Sequence, residues 1–212
     1  MIITKQKDFK DIIESIDKNP VFLIGCSECA TVCKTGGEQE IKDMKNLLEN
    51  ENIEVTGSVI LEPACNLLND KRILKKHKIE IGRAKVILVF ACGNGVQTVS
   101  ELITDKEIKS GNDTLFLGEI KRLKEFEKRC DLCGECIQDE FGGLCPVSRC
   151  PKSMLNGPCG GSVNGKCEID SDMVCVWDLI YRFFKDKDQL EKLKKIVEPK
   201  DWSKSLEFRR RI

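Results

Sequence analysis

Apolar residues near the start of the chain fall at helical spacing. Phe9, Ile12, Ile13 and Ile16 recur at i, i+3, i+4 and i+7, one face of a helix that Pro20 must end. Val21 to Gly25 is an unbroken apolar run and predicts a buried strand ending at Cys26. Ile41, Met44, Leu47 and Leu48 predict a second amphipathic helix. Val55 to Leu61 predicts a second strand, which leads through Glu62-Pro63-Ala64 to Cys65. Lys85 to Ala91 (KVILVFA) predicts a third, ending at Cys92, and Thr114 to Leu117 a fourth. Continuous apolar strands alternating with helices predict an α/β domain over residues 1–127, with a mainly parallel sheet flanked by helices.

After Glu127 the composition changes. Residues 130–170 hold seven cysteines, seven glycines and three prolines, with few apolar residues to bury. Such a segment is expected to fold around metal, because binding energy there is folding energy. Met173 to Phe184 resumes a helical pattern, and Leu190, Leu193, Ile196 and Val197 predict one more helix. The expected organisation is a cysteine-rich module over residues 128–184, closed by C-terminal helices, with a tail over residues 185–212. The aromatic run from Trp177 to Phe184 and the Pro199-Lys-Asp-Trp202-Ser stretch are candidates for docking a partner protein. Alternatively, Trp177 and Phe184 roof the cysteine region.

Cysteine spacing gives the chemistry. Eight of the thirteen cysteines are Cys130, Cys133, Cys136, Cys145, Cys150, Cys159, Cys167 and Cys175. Eight thiolates satisfy two four-iron clusters, and the Cys-x2-Cys-x2-Cys of Cys130, Cys133 and Cys136 opens the ligand run of bacterial ferredoxins. Cys145 and Cys150 each precede a proline, as the fourth ferredoxin ligand does. The predicted module is therefore ferredoxin-like and binds two [4Fe-4S] clusters, with the partition of cysteines between them left open. In the first domain, Cys26, Cys29 and Cys33 follow the first predicted strand, while Cys65 and Cys92 follow two others. Strand ends of a parallel sheet share one edge, where α/β proteins assemble their sites. A zinc ion or a third four-iron cluster needs four thiolates, so one of these five is spare.

Several other chemistries are disfavoured. Lysine and arginine balance aspartate and glutamate at 35 each, so no global field draws the chain to nucleic acid. Arg209-Arg210-Arg211 is too short a basic run to change that. His77 is the only histidine and sits among lysines, which argues against histidine-based triads and zinc hydrolase sites. Gly93-Asn94-Gly95 follows a strand but lacks the third glycine of a dinucleotide fingerprint. No apolar stretch approaches the ~20 residues of a membrane span, and MIITKQKDFKD lacks the apolar centre of a secretory signal. The expected compartment is the cytoplasm, where thiols stay reduced rather than paired.

Three separated stretches carry a family resemblance: GCSECATVCKTGGE, CPKSMLNGPCGG within Cys130 to Gly161, and PKDWS. Together they resemble the small iron–sulfur subunit of acetogen-type methylenetetrahydrofolate reductase, across essentially the whole chain. The resemblance implies an accessory electron-transfer subunit with no catalytic residues of its own. It implies a flavin-containing catalytic partner, which reduces methylenetetrahydrofolate to methyltetrahydrofolate, and an external electron-donor protein. Flavin would belong to the partner alone. It implies metal roles for the eight cysteines from Cys130 to Cys175 and for Cys26, Cys29 and Cys33, with zinc as well as iron–sulfur in the family. Two other readings stand beside it: an iron–sulfur subunit of a different flavin oxidoreductase, and a zinc-stabilised interaction module without redox chemistry.

Overall fold

Two compact units divide the chain, Met1–Phe126 and Glu127–Ile212, and the computed structural model describes residues 1–122 and 124–206. Along the first unit run β1 (Ile2–Gln6), α1 (Phe9–Ile16), β2 (Val21–Cys26), the single turn α2 (Cys29–Val32), α3 (Glu38–Asn50), β3 (Val55–Leu61), α4 (Leu67–Lys76) and α5 (Lys78–Arg83). They are followed by β4 (Val86–Phe90), α6 (Gly93–Leu102), β5 (Glu107–Ser110) and β6 (Asn112–Arg122). β7 (Glu125–Cys130) comes next, and a three-stranded sheet has the order β1-β6-β7.

The principal sheet is parallel, with strand order β3-β2-β4-β5. Side chains alternate between its faces along β2, because strand side chains have a period of two. Phe22 and Ile24 face a core shared with Ile87 and Val89 of β4, Leu74 of α4, Ile81 of α5 and Val99 of α6. Val21 and Leu23 face the other core, with Leu88, Phe90, Ile12, Ile16, Ile41, Met44 and Leu48. Burying each such side chain is worth roughly 1.5–3 kcal/mol, so α1 and α3 are held on one face and α4 to α6 on the other. Register sets the functional edge: Cys26 pairs with Leu61, and Gly25 with both Ile60 and Phe90. The chain segments leaving β2, β3 and β4 therefore emerge side by side.

One expectation for this unit is corrected. The fourth parallel strand is Glu107–Ser110, not Thr114–Leu117. An edge strand has one neighbour and one protected face, so its mixed composition (EIKS) lacks the apolar run that marks β2 and β4. Thr114–Leu117 instead lies within β6 and pairs antiparallel with β1, Ile3 opposite Phe116 and Ile2 opposite Leu117.

The second unit contains a 3₁₀ turn at Gln138–Phe141, α7 (Pro146–Arg149), α8 (Val176–Asp186) and 3₁₀ turns at Leu190–Lys194 and Trp202–Leu206. Its core is Phe141, Val176, Trp177, Ile180 and Phe184, with Cys150, Met154, Cys175, Leu190, Leu193 and Val197 packed at the margin. The Phe141 and Trp177 rings meet edge to face at a centroid distance of 5.5 Å. The helix expected over Leu190–Val197 is only a short 3₁₀ turn; its apolar residues serve to cover α8 rather than to form a continuous stripe. Trp177 and Phe184 are 5% and 3% exposed, so they are core residues and are unavailable for docking. No helix among the described residues is long and apolar enough to cross a membrane.

Candidate metal centres

Cys26 is the last residue of β2 and is buried; its N–H donates to Gly36 O at 2.9 Å, and its carbonyl accepts from Thr31 Oγ1 at 2.7 Å. These bonds turn the chain sharply into α2, which begins at Cys29. Cys92 is the N-cap of the ten-residue α6, where the unpaired N–H end of a helix stabilises negative charge. Cys65 sits in the exposed turn after β3. Partial burial raises its pKa, and the nearby sulfurs of Cys92, Cys26 and, more weakly, Cys29 raise it further. Those four thiols therefore share one neighbourhood at the carboxyl edge of the sheet. Cys29 and Cys33, at the two ends of α2, both reach the backbone of β1: Ile2 N donates to Cys29 Sγ at 3.4 Å, and Cys33 Sγ donates to Ile2 O at 3.8 Å.

Gly95 lets α6 come close to the Cys65 turn. A Cβ there would lie 2.8 Å from Ala91 Cβ, 3.1 Å from Ala64 Cβ and 3.3 Å from Ala64 O. The glycine of the incomplete dinucleotide motif thus serves close packing beside Cys65 and Cys92.

In the second unit, Cys150, Cys159, Cys167 and Cys175 line one pocket with an empty volume of about 360 Å³, together with Met173 and Trp177. The loop that brings them together is tied by its own backbone. Cys167 N donates to Met173 O and Cys175 N to Gly165 O, each at 2.9 Å, and Val163 and Val174 both bridge to Lys166. Cys175 is the N-cap of the eleven-residue α8. Glu168 at the pocket wall pairs with Lys152 and accepts from Cys159 Sγ at 3.6 Å.

The other four cysteines follow the end of β7 along the chain. Cys130 is its last residue, and Cys130 Sγ accepts from Leu132 N at 3.3 Å. Cys133 Sγ donates to Glu135 O at 3.5 Å. Cys145 is the N-cap of α7, and Ser148 in that helix donates to Arg129 O at 2.8 Å, pinning α7 beside Cys130. Cys136 is exposed in the same loop. Glu135, between Cys133 and Cys136, has its pKa held below the usual carboxylate value by the donating Lys204 ammonium and then by the Asp201 N–H.

Among the described residues, no three Cys, His, Asp or Glu side chains converge tightly enough to hold a metal ion as they stand. The donor chemistry does fit four-thiolate centres. Two groups of four are brought near one another, Cys150, Cys159, Cys167 and Cys175 around one pocket and Cys65 with Cys92, Cys26 and Cys29 at the sheet edge, and each has a cysteine as the N-cap of a helix of ten residues or more.

Several other candidates are placed by the fold. His77 is half-buried, with its ring 5.8 Å from that of Phe22 and Nδ1 3.9 Å from Glu80, so it packs rather than standing free in solvent. Arg209, Arg210 and Arg211 lie outside the described residues. Asp70 escaped sequence reasoning because helix α4 otherwise reads as a charged surface segment. It is fully buried, no hydrogen bond of good geometry reaches either carboxylate oxygen, and burial pushes its pKa up to about 6 against a smaller lowering by the Asn66 main chain.

Residues 109–203 match the family model described as methylene-tetrahydrofolate reductase C terminal. That segment relates the chain to methylenetetrahydrofolate reductase. The match covers slightly under half of the chain and includes all eight cysteines from Cys130 to Cys175, as well as the PKDWS stretch. No curated protein matches the chain significantly.

Proposed function

We propose that the chain is an accessory electron-transfer subunit of methylenetetrahydrofolate reductase. It relays electrons from an external donor protein to the flavin of a catalytic partner, which converts methylenetetrahydrofolate to methyltetrahydrofolate. The observation that carries this reading is the matched segment itself, which holds eight cysteines in two sets of four. Cys150, Cys159, Cys167 and Cys175 line one pocket, which supports them as one set, and Cys130, Cys133, Cys136 and Cys145, which follow the end of β7 in the chain, are assigned to the other.

Iron–sulfur clusters held there supply one-electron transfer at potentials set by ligands, hydrogen bonds and exposure. The chain's own residues do the rest. Met173, Val176 and Trp177 give the first set an apolar wall, while Lys152 offsets the Glu168 carboxylate beside Cys159. Cys26, Cys29, Cys65 and Cys92 form a third centre in the first unit, holding zinc or a further cluster at the sheet edge. The sequence offers one histidine and no acid–base constellation, in keeping with a reaction that belongs to the partner. The expected compartment remains the cytoplasm.

The test is anaerobic purification followed by metal and sulfide analysis. The reading expects a brown protein with about eight irons and eight sulfides in the second unit's two centres. A colourless chain holding only zinc would instead support a structural interaction module.

A further inference from the structure

Glu135 lies between Cys133 and Cys136, and a single distant segment engages both its carboxylate oxygens and its main-chain carbonyl. Lys204 Nζ donates to Oε1 at 2.6 Å, Asp201 N donates to Oε2 at 3.1 Å, and Lys200 Nζ donates to the Glu135 carbonyl. The donors lie up to 69 positions away in sequence. The segment is itself turned by Ser203, whose N–H and hydroxyl both donate to Asp201 Oδ1, at 3.0 and 2.6 Å.

Gly134 fits the same contact. It is left-handed, with φ 76°, and a Cβ there would lie 2.9 Å from Lys204 Cβ and 3.0 Å from Lys204 O. Two more ties lead the chain to this point. Lys195 pairs with Glu140 at 2.7 Å, and Asn156 exchanges two hydrogen bonds with the main chain of Val197, at 2.9 and 2.8 Å.

One exposed ion pair contributes little on its own. Here, charged and main-chain donors converge on one residue, so each is ordered by the others and loses less entropy on bonding.

We propose that residues 199–204 are a latch on the Cys130–Cys136 loop, holding Cys133 and Cys136 in place, and not a free docking tail. Lys200 and Lys204 are its positioning residues. A docking tail would keep its polar groups for a partner, whereas this segment spends them on the loop of its own unit. In its consequence for metal, the latch rests on the function proposed above. Lys200 and Lys204 balance the carboxylates of Glu135 and Asp201, so the latch adds no negative charge to that of four thiolates on a cluster, and the closed loop slows loss of the centre.

The experiment uses the full chain with Lys200→Ala and Lys204→Ala combined, and Lys204→Arg as the conservative variant. The first readout is amide hydrogen exchange of residues 131–136 in the anaerobically purified full chain. The latch predicts exchange faster by about tenfold in the double variant, through local opening, and near-normal exchange in Lys204→Arg. Unchanged exchange in the double variant overturns it.

The second readout is iron release from the reconstituted protein to a chelator. About half of the iron should leave ~10–100-fold faster, the scale on which supporting partners of metal ligands act. If exchange rises but the chain takes up no iron, the latch stands and the iron–sulfur reading fails. If iron is bound normally and exchange is unchanged, the latch fails and the iron–sulfur reading stands.

Discussion

Trp177 donates its indole N–H to the carbonyl of Met154 at 3.0 Å, tying α8 to the loop between Cys150 and Cys159. Cys175, two residues before Trp177, lines the same pocket as those two cysteines. Replacing Trp177 with Phe keeps an apolar ring but leaves a part-buried carbonyl without its donor. The expected cost is about 1–3 kcal/mol, read as a lower denaturation midpoint with an unchanged slope. An unchanged midpoint would mean that water replaces the indole.

The two sets of four cysteines predict an additive iron count. Cys133→Ser and Cys167→Ser should each remove about four irons, and the double variant all of about eight. A double variant that retains as much iron as either single one would place both cysteines on the same centre.

At the sheet edge, Cys33 and Cys65 should behave oppositely. Cys65→Ser is expected to release the first unit's metal, whereas Cys33→Ser should retain it, because the sulfurs that act on the Cys65 thiol are those of Cys92, Cys26 and Cys29. Gly95→Val should weaken the same site without touching a sulfur. Its side chain would push α6 from the Ala64–Cys65 turn, at about 1–3 kcal/mol of overpacking strain. Metal analysis of the three variants checks the set together; loss of metal in Cys33→Ser with retention in Cys65→Ser would exchange their roles.

Asp70 predicts a stability that depends on pH. Its pKa is about 6 in the folded protein, against about 3.9 in an unfolded chain. Folding therefore favours the protonated form, so this contribution is full below about pH 4 and is lost as pH rises through about 6. Asp70→Asn should be the more stable protein at pH 7–8, by up to about 3 kcal/mol at about 1.4 kcal/mol per pKa unit. The difference should close below pH 4. Parallel stability curves for the two proteins would show that Asp70 does not titrate in this range.

The strands that build the site were legible because they are buried on both faces: Val21–Gly25 and Val86–Phe90 are unbroken apolar runs. Their cysteines could be placed at one edge for the same reason. What escaped the sequence depends on contacts between distant residues. Edge strand β5 has a single neighbour and mixed polarity, and β1 is recognisable only by its pairing with β6. The grouping of Cys150 with Cys159, Cys167 and Cys175 follows from a loop folded back through Lys166 and Gly165, which spacing alone does not encode. PKDWS stands out for its aromatic and basic residues, yet its Lys200 and the following Lys204 are directed at Glu135 of the same unit. Buried Asp70 went unseen because an isolated carboxylate facing a core breaks the pattern by which amphipathic helices are read.

Electron transfer to the flavin is the most direct test of the central claim. The chain, reconstituted and reduced without oxygen, is mixed with the flavin-containing methylenetetrahydrofolate reductase subunit, and flavin bleaching is followed in a stopped-flow spectrometer. The account predicts rapid flavin reduction by the intact chain, lost with Cys133→Ser or Cys167→Ser, and formation of methyltetrahydrofolate once methylenetetrahydrofolate is supplied. An iron-loaded, reduced chain that leaves the flavin oxidised would contradict it.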